Sequence, residues 1–477
     1  MAINIEKIVD SAMSKGAEYA DVRFENRSNE LSRIYDGKIE ELLNNRSVGF
    51  GVRVLVNGAW GFAGSSNLEK TEETVRKAIE IAKASAKKQK KPVRLAPIPV
   101  VRDHYKTPVR IDPRTVSLNE RIGLLLEADA AMAEVPGVTQ RRSAMGFYYT
   151  DSLFASSEGA YIEQNLVACG AGTCALASDG SDVGFRSFPA SFQGDHGTGG
   201  YEKILSLDLV NGSRRFAEQA VQLVKAKPCT AGKKDIILDS SMLTLMVHES
   251  LGHALELDRV LGSEASYAGT SFITTDKLNR DHIGSEHVMI TADSSWPGGL
   301  ATYGYDDEGT PAHRTVLIDK GVLVNYLSSR ETSYDLGLPV TSCTRADGWN
   351  HAPLIRMTSC NLEPGDSSLE KMISEVDDGL YMQTVKTYSI DDKRLNFQFA
   401  PEIAWEIKHG KITDMVKNVR YCGLTPEFWN SCDAVAGPDE WHMWGIPVCG
   451  KGEPGQSVHV AHGTAPARFR GITILGA

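Results

Sequence analysis

Residues Ser241 to Asp258 read SMLTLMVHESLGHALELD, and their centre, His248-Glu249-Ser250-Leu251-Gly252-His253, forces an irregular helix if its two histidines are to act together. In the HExxH helices that bind zinc, the histidines lie about 40° apart around the axis, on one face. Here they are five positions apart, which on an ideal helix separates them by about 140° and about 7.5 Å along the axis. Imidazoles so placed do not meet one zinc ion at about 2.0–2.1 Å. A single π-turn brings positions i and i+5 into line, and Gly252 tolerates such a distortion. The spacing therefore predicts a break in helical regularity between 248 and 253.

The rest of the chain frames this segment with strands. Residues 4–19 have helical apolar spacing, and 20–63 alternate as antiparallel strands. Within 49–62, Asn57-Gly58 separates two apolar runs, the two-residue hairpin signal in which both turn positions need positive φ. Helices are expected at 68–90, 117–134 and about 206–227, strands at 137–193, and a proline-bearing connector at about 92–113. Strands packed with a few long helices, without βαβ alternation, indicate an α+β fold. A chain of 477 residues exceeds one ordinary core, so two domains are expected, 1–228 and 229–477, divided at the Pro228-Cys229-Thr230-Ala231-Gly232 linker. The second domain opens with a buried strand at 234–239 that runs into the motif helix, capped by Ser240 or Ser241. After about 260 it reads as strands and turns, with candidate strands at 286–292, 314–326, 394–408 and 412–421.

Formal charge is −10, which argues against a nucleic-acid partner. The lysine run 87–91 reads as a solvated helix end. No signal-peptide core and no apolar stretch near the roughly 18 residues of a membrane span is evident, so a cytoplasmic protein is expected. The eight cysteines form no CxxC pair and read as reduced thiols, Cys169 and Cys174 among them as neighbours on one strand. No nucleotide-binding, nucleophile-elbow or calcium-loop pattern is present. Trp429, Trp441 and Trp444 are expected in the core.

Taken alone, the six motif residues arise by chance in many chains of this length. A catalytic zinc site also needs a third protein ligand, and composition does not choose one among twelve histidines and eight cysteines. A resemblance narrows the choice. HESLGHALELD resembles the signature of the PmbA/TldD family of metallopeptidases, in its TldD branch. The stretches GFGVRVLVNGAWGFA (49–63), DDEGTPAHRTVLIDKGVLVNYLSSRETSYDLG (306–337) and PVCGKGEPGQSVHVAHGTAPARFRGI (447–472) are similar to that family too, in the expected order. The resemblance implies a zinc site made by His248, His253 and Cys449, with Glu249 as general base. It also implies extended or unfolded peptides as substrates, leader segments of modified peptides included, and a homodimer or a heterodimer with a PmbA-like paralogue. Glu453-Pro454 lengthens the turn after Cys449 relative to the family's usual pattern. Glu256 and Asp258 lie on the same segment as outer partners for the histidines or as exposed residues. Two other readings stand beside a peptidase: a non-catalytic partner subunit with structural zinc, and a zinc amidohydrolase acting on small molecules.

Overall fold

The computed structural model describes residues 3–191, 194–452 and 455–476. Its first half is built on one large sheet. Strands Tyr19–Tyr35, Lys38–Val56 and Ala59–Ser65 form an antiparallel meander, and Tyr19–Tyr35 also pairs with Val138–Ser156, which pairs with Tyr161–Ser178. Asn57 and Gly58 take φ of 50° and 69°, as the hairpin signal requires. Helices Ile5–Ser14 and Thr71–Ala86 bury Ile5, Ile8, Val75 and Ala78 against Val52 and Val54. Helix Leu118–Ala133 begins with a Ser117/Glu120 capping box and packs, with Leu209–Lys225, on Met145 and Phe147.

Two expectations for this half are corrected. The 92–113 connector contains a strand, Arg102–Lys106, paired in parallel with Tyr161–Asn165. Its prolines flank the strand without entering it, so the ladder is not interrupted. The helix expected at about 206–227 starts later, as Leu209–Lys225, because Asp208 is left-handed with φ of 48°, and a separate short helix, Tyr201–Leu205, precedes it.

The second half carries strands whose pairing closes on itself. Gly232–Leu238 lies between Asp378–Ile390 and Ala467–Leu475; the former pairs with Asn396–Lys408, the latter with Arg420–Leu424, and these two pair with each other. A closed ring leaves no open edge among its members. The barrel encloses the largest apolar core, including Leu238, Met246, Phe399, Trp429 and Phe469. Helix Ser240–Val247 follows directly from Gly232–Leu238, and every one of its residues is buried. Its cap is Asp239, which accepts the Ser241 amide at 2.9 Å; the serines expected in that role are the first helical residues. The carboxylate one position earlier has the extended backbone that a cap needs.

Buried ion pairs join the halves. Arg53 bridges Asp21 at 2.7 Å and Glu308 at 3.1 Å, and Arg186 meets Glu402 at 2.9 Å. All eight cysteines are free. Among the described residues no helix is long and apolar enough to cross a membrane.

Candidate metal centre

Helix Ser240–Val247 turns into a π-helix over His248–Gly252. The His253 amide donates to the His248 carbonyl, five residues back, so the two histidines that a regular helix would splay share one side. Their rings meet edge-on, with centroids 4.9 Å apart. Gly252 is needed here for space. Its φ of −53° is ordinary, but a Cβ on it would lie 2.0 Å from Met357 Sδ. Beneath the turn, the buried Trp429 indole donates to Ser250 Oγ at 2.9 Å.

Cys449 reaches this turn from the far end of the chain. It sits on strand His442–Gly452, paired with Gly455–Thr464, and the register shifts between Ile446 and Cys449. Such a bulge re-aims side chains, and here Val448 is left 64% exposed while Cys449 is buried. The hairpin is tied to the start of the motif helix, where Thr464 Oγ1 donates to the Ser240 carbonyl at 2.8 Å. Arg356 donates to the Cys449 carbonyl. Cys449 Sγ lies 3.4 Å from His248 Nε2 and 3.7 Å from His253 Nε2, and the three donor atoms fall within 4.8 Å of one another.

The surrounding hydrogen bonds orient the histidine rings. His462 Nδ1 is 2.7 Å from the Cys360 carbonyl, which can only accept, so His462 donates there. Burial pushes the His462 pKa well below its usual value, so the ring is neutral and its Nε2 is an acceptor. His248 Nδ1, 2.8 Å away, must then donate to it. His253 Nδ1 donates to Glu256 at 2.9 Å. With each Nδ1 engaged in this way, both rings turn Nε2 toward the sulfur. Burial would raise the Cys449 pKa, but the neighbouring His253 and Arg356 outweigh it and bring it below the usual thiol value. Two imidazole Nε2 atoms and a thiol inclined to ionise, converging within 4.8 Å of one another, fit a bound cation.

Glu249 is buried beside these groups. Burial opposes its ionisation, yet His248, His253 and Arg394 together hold its pKa below the usual carboxylate range. Arg394 forms an ion pair with its carboxylate, and the Tyr388 hydroxyl donates to it as well. Arg394 stands in the turn between Asp378–Ile390 and Asn396–Lys408 with φ of 63°. That turn is pinned: the Lys393 carbonyl accepts the Phe272 amide at 2.8 Å and the Arg394 carbonyl accepts Thr425 Oγ1 at 2.7 Å.

Of the two outer partners considered, Glu256 contacts a histidine. Asp258 does not; it accepts from Lys451 at 2.6 Å, and Lys451 stands 3.4 Å from Glu256. Asp258 is one link further out because the helix Leu257–Val260 begins afresh after Glu256 and turns it toward Lys451. Sequence reasoning missed His462, Arg394, Tyr388 and Lys451. His462 and Lys451 lie within the 447–472 stretch, which offered a signal. Arg394 and Tyr388 offered none, since they lie outside every motif and Arg394 reads only as the start of the candidate strand 394–408. Glu453-Pro454 lies outside the described residues. Trp429 is wholly buried, whereas Trp441 is partly so and packs on Trp296 with ring centroids 4.7 Å apart.

Comparison with known proteins covers nearly the whole chain. Three family models match in succession: PmbA/TldA metallopeptidase domain 1 over residues 20–86, the central domain over 111–227 and the C-terminal domain over 231–476. A metalloprotease of Methanothermobacter thermautotrophicus is 34% identical over 461 residues, with 96% of each chain covered. A zinc metalloprotease TldD homolog of Saccharolobus solfataricus is 23% identical, covering 98% of this chain and 99% of its own. The crystal structure of TldE from Thermococcus kodakarensis shares the fold at 18% identity, with a TM-score of 0.72 and 99% of each chain covered.

Proposed function

The chain belongs to the PmbA/TldD metallopeptidase family, and from that premise we propose that it is a zinc-dependent peptidase with His248, His253 and Cys449 as metal ligands and Glu249 as general base. The observation that carries this reading is the convergence of two imidazole Nε2 atoms and an acidic thiol beside a buried, ionised glutamate. A nitrogen and sulfur donor set favours zinc, and zinc is named for the Saccharolobus relative. Three protein donors is the number found in catalytic sites, against four in closed structural ones. When bound, the ion supplies a Lewis acid for the scissile carbonyl and lowers the pKa of water.

Glu249 takes a proton from the attacking water as its oxygen adds to the carbonyl carbon. The same proton passes to the amine nitrogen as the C–N bond breaks. Arg394 and Tyr388 keep the carboxylate ionised and aimed. His462 and Glu256 hold the two imidazoles in the tautomers that present Nε2. Extended or unfolded peptides, leader segments included, are the substrates we propose. A cleft of about 350 Å³ between the halves has Pro447 and Val448, the residues just before Cys449, in its wall. Main-chain recognition of an extended peptide needs no particular sequence.

Metal analysis combined with peptide hydrolysis tests the reading on wild type, Glu249→Gln and Cys449→Ala. Glu249→Gln is expected to keep its metal and lose hydrolysis by about 10²–10⁴-fold. Cys449→Ala is expected to lose metal. Undiminished hydrolysis by Glu249→Gln would remove the base from the scheme, and a metal-replete wild type that cleaves no peptide would overturn the peptidase reading.

A further inference from the structure

Arg394 meets Glu249 with one edge of its guanidinium and leaves another unpaired. The ion pair is made by Nη1. Nε is buried and has no hydrogen-bond partner, and no other bond of this guanidinium is found among the described residues. A planar guanidinium presents Nε–H and one Nη–H side by side, a fork that matches both oxygens of a carboxylate. Buried donors are nearly always paired, because leaving one unpaired is costly. Neighbouring acids do not fill this need. Asp391, in the same turn, accepts the Leu395 and Asn396 amides at 2.8 and 3.1 Å, and Asp258 is taken by Lys451. Arg259 adds positive charge to this corner. Burial, then the charge of Arg394, lowers its pKa, and its own Nη1 is spent on the carbonyls of Ala268, Thr270 and Asp392. The Arg394 side chain is 16% exposed and Tyr388, its companion on Glu249, is 43% exposed, so this side of the centre reaches solvent.

We propose that the unpaired edge of Arg394 is a subsite for a carboxylate of the substrate, so that this chain selects peptides with an anion close to the scissile bond. The inference rests on the peptidase reading, which makes the ligand a peptide and sets Glu249 beside the bond to be cut. One guanidinium then touches the base on one edge and the anion on the other. An extended chain advances about 3.3–3.6 Å per residue, so the anion stands within about one or two residues of that bond. Two sources supply it. A C-terminal carboxylate held there makes the chain trim peptides from their carboxyl ends. An aspartate or glutamate side chain makes it cut beside acidic residues. Lysine offers a charge without the fork, which is why arginine suits the position.

Short peptides test the proposal: acetyl-tetra-alanine with a free carboxyl terminus, its amide, and the amide with glutamate as the last residue. Calorimetry on the chelator-treated full chain reads binding without turnover, and the zinc-loaded chain reads kcat/KM. At least one anionic peptide is expected to bind about tenfold or more tightly than the neutral amide, the usual worth of a charge-assisted pair. Preference for the free acid assigns the chain terminus, and preference for the glutamate amide assigns a side chain. Arg394→Gln is expected to abolish the preference, and Arg394→Lys to retain part of it. Tyr388→Phe removes the other donor to Glu249 and is expected to keep the wild-type preference, whereas a role confined to orienting Glu249 would move both positions alike. Equal binding of all the peptides by wild type, or a preference that survives Arg394→Gln, would overturn the proposal. If the zinc-loaded chain still cleaves them, the peptidase reading stands without this subsite. If the preference appears without cleavage, the subsite stands and the peptidase reading falls.

Discussion

Gly252 governs the shape of the motif through the space it leaves. Its backbone is helical, and Met357 occupies the position where a side chain would begin. Gly252→Ala is therefore predicted to destabilise the protein by about 1–3 kcal/mol, as overpacking of a tight core does. It should also weaken metal binding, because the π-turn that aligns His248 with His253 must shift. Urea denaturation and chelator competition check both effects; wild-type values in each would mean that Met357 yields without cost. The motif's spacing made the π-turn legible in the sequence, but the reason for glycine was not. Met357 is more than a hundred positions away and carries no signal of its own.

At the scale of elements, two pieces far apart in the chain deliver the centre. The motif helix supplies both histidines, and the hairpin of His442–Gly452 with Gly455–Thr464 supplies Cys449 and, on its second strand, His462. His462 orients His248, so His462→Ala is predicted to weaken metal affinity by about 10- to 100-fold, the usual effect of removing such a partner. Competition with a chelator measures it, and unchanged affinity would show that His248 keeps its orientation without that hydrogen bond. The strands and helices were readable as elements because alternation, 3.6-residue spacing and the Asn57-Gly58 turn are local signals. The short strand Arg102–Lys106 was not, since its pairing comes from Tyr161–Asn165 and its own composition is polar.

At the scale of the molecule, the halves are fastened by charges removed from solvent. Arg53, from the first half, satisfies Asp21 beside it and Glu308 across the boundary. Burial pushes the Asp21 pKa up, so its carboxylate depends on that guanidinium to stay ionised. Arg53→Met would leave two buried carboxylates without their partner and is predicted to cost about 3–5 kcal/mol in urea denaturation. A loss below about 1 kcal/mol, the range of exposed pairs, would mean that the Arg53 bridge does not fasten the boundary.

The sequence by itself determined the α+β class, the hairpin at Asn57-Gly58 and the need for a π-turn between His248 and His253, because each follows from contacts within a few residues. Its resemblance to a known family pointed to Cys449, which spacing could not select. Tertiary structure alone brought Cys449, His462 and Arg394 to the motif across 201, 214 and 145 positions, and it turned Nε2 of both motif histidines toward the sulfur. Such convergence depends on how the barrel closes and where a strand bulges. No local pattern of residue types encodes those distances.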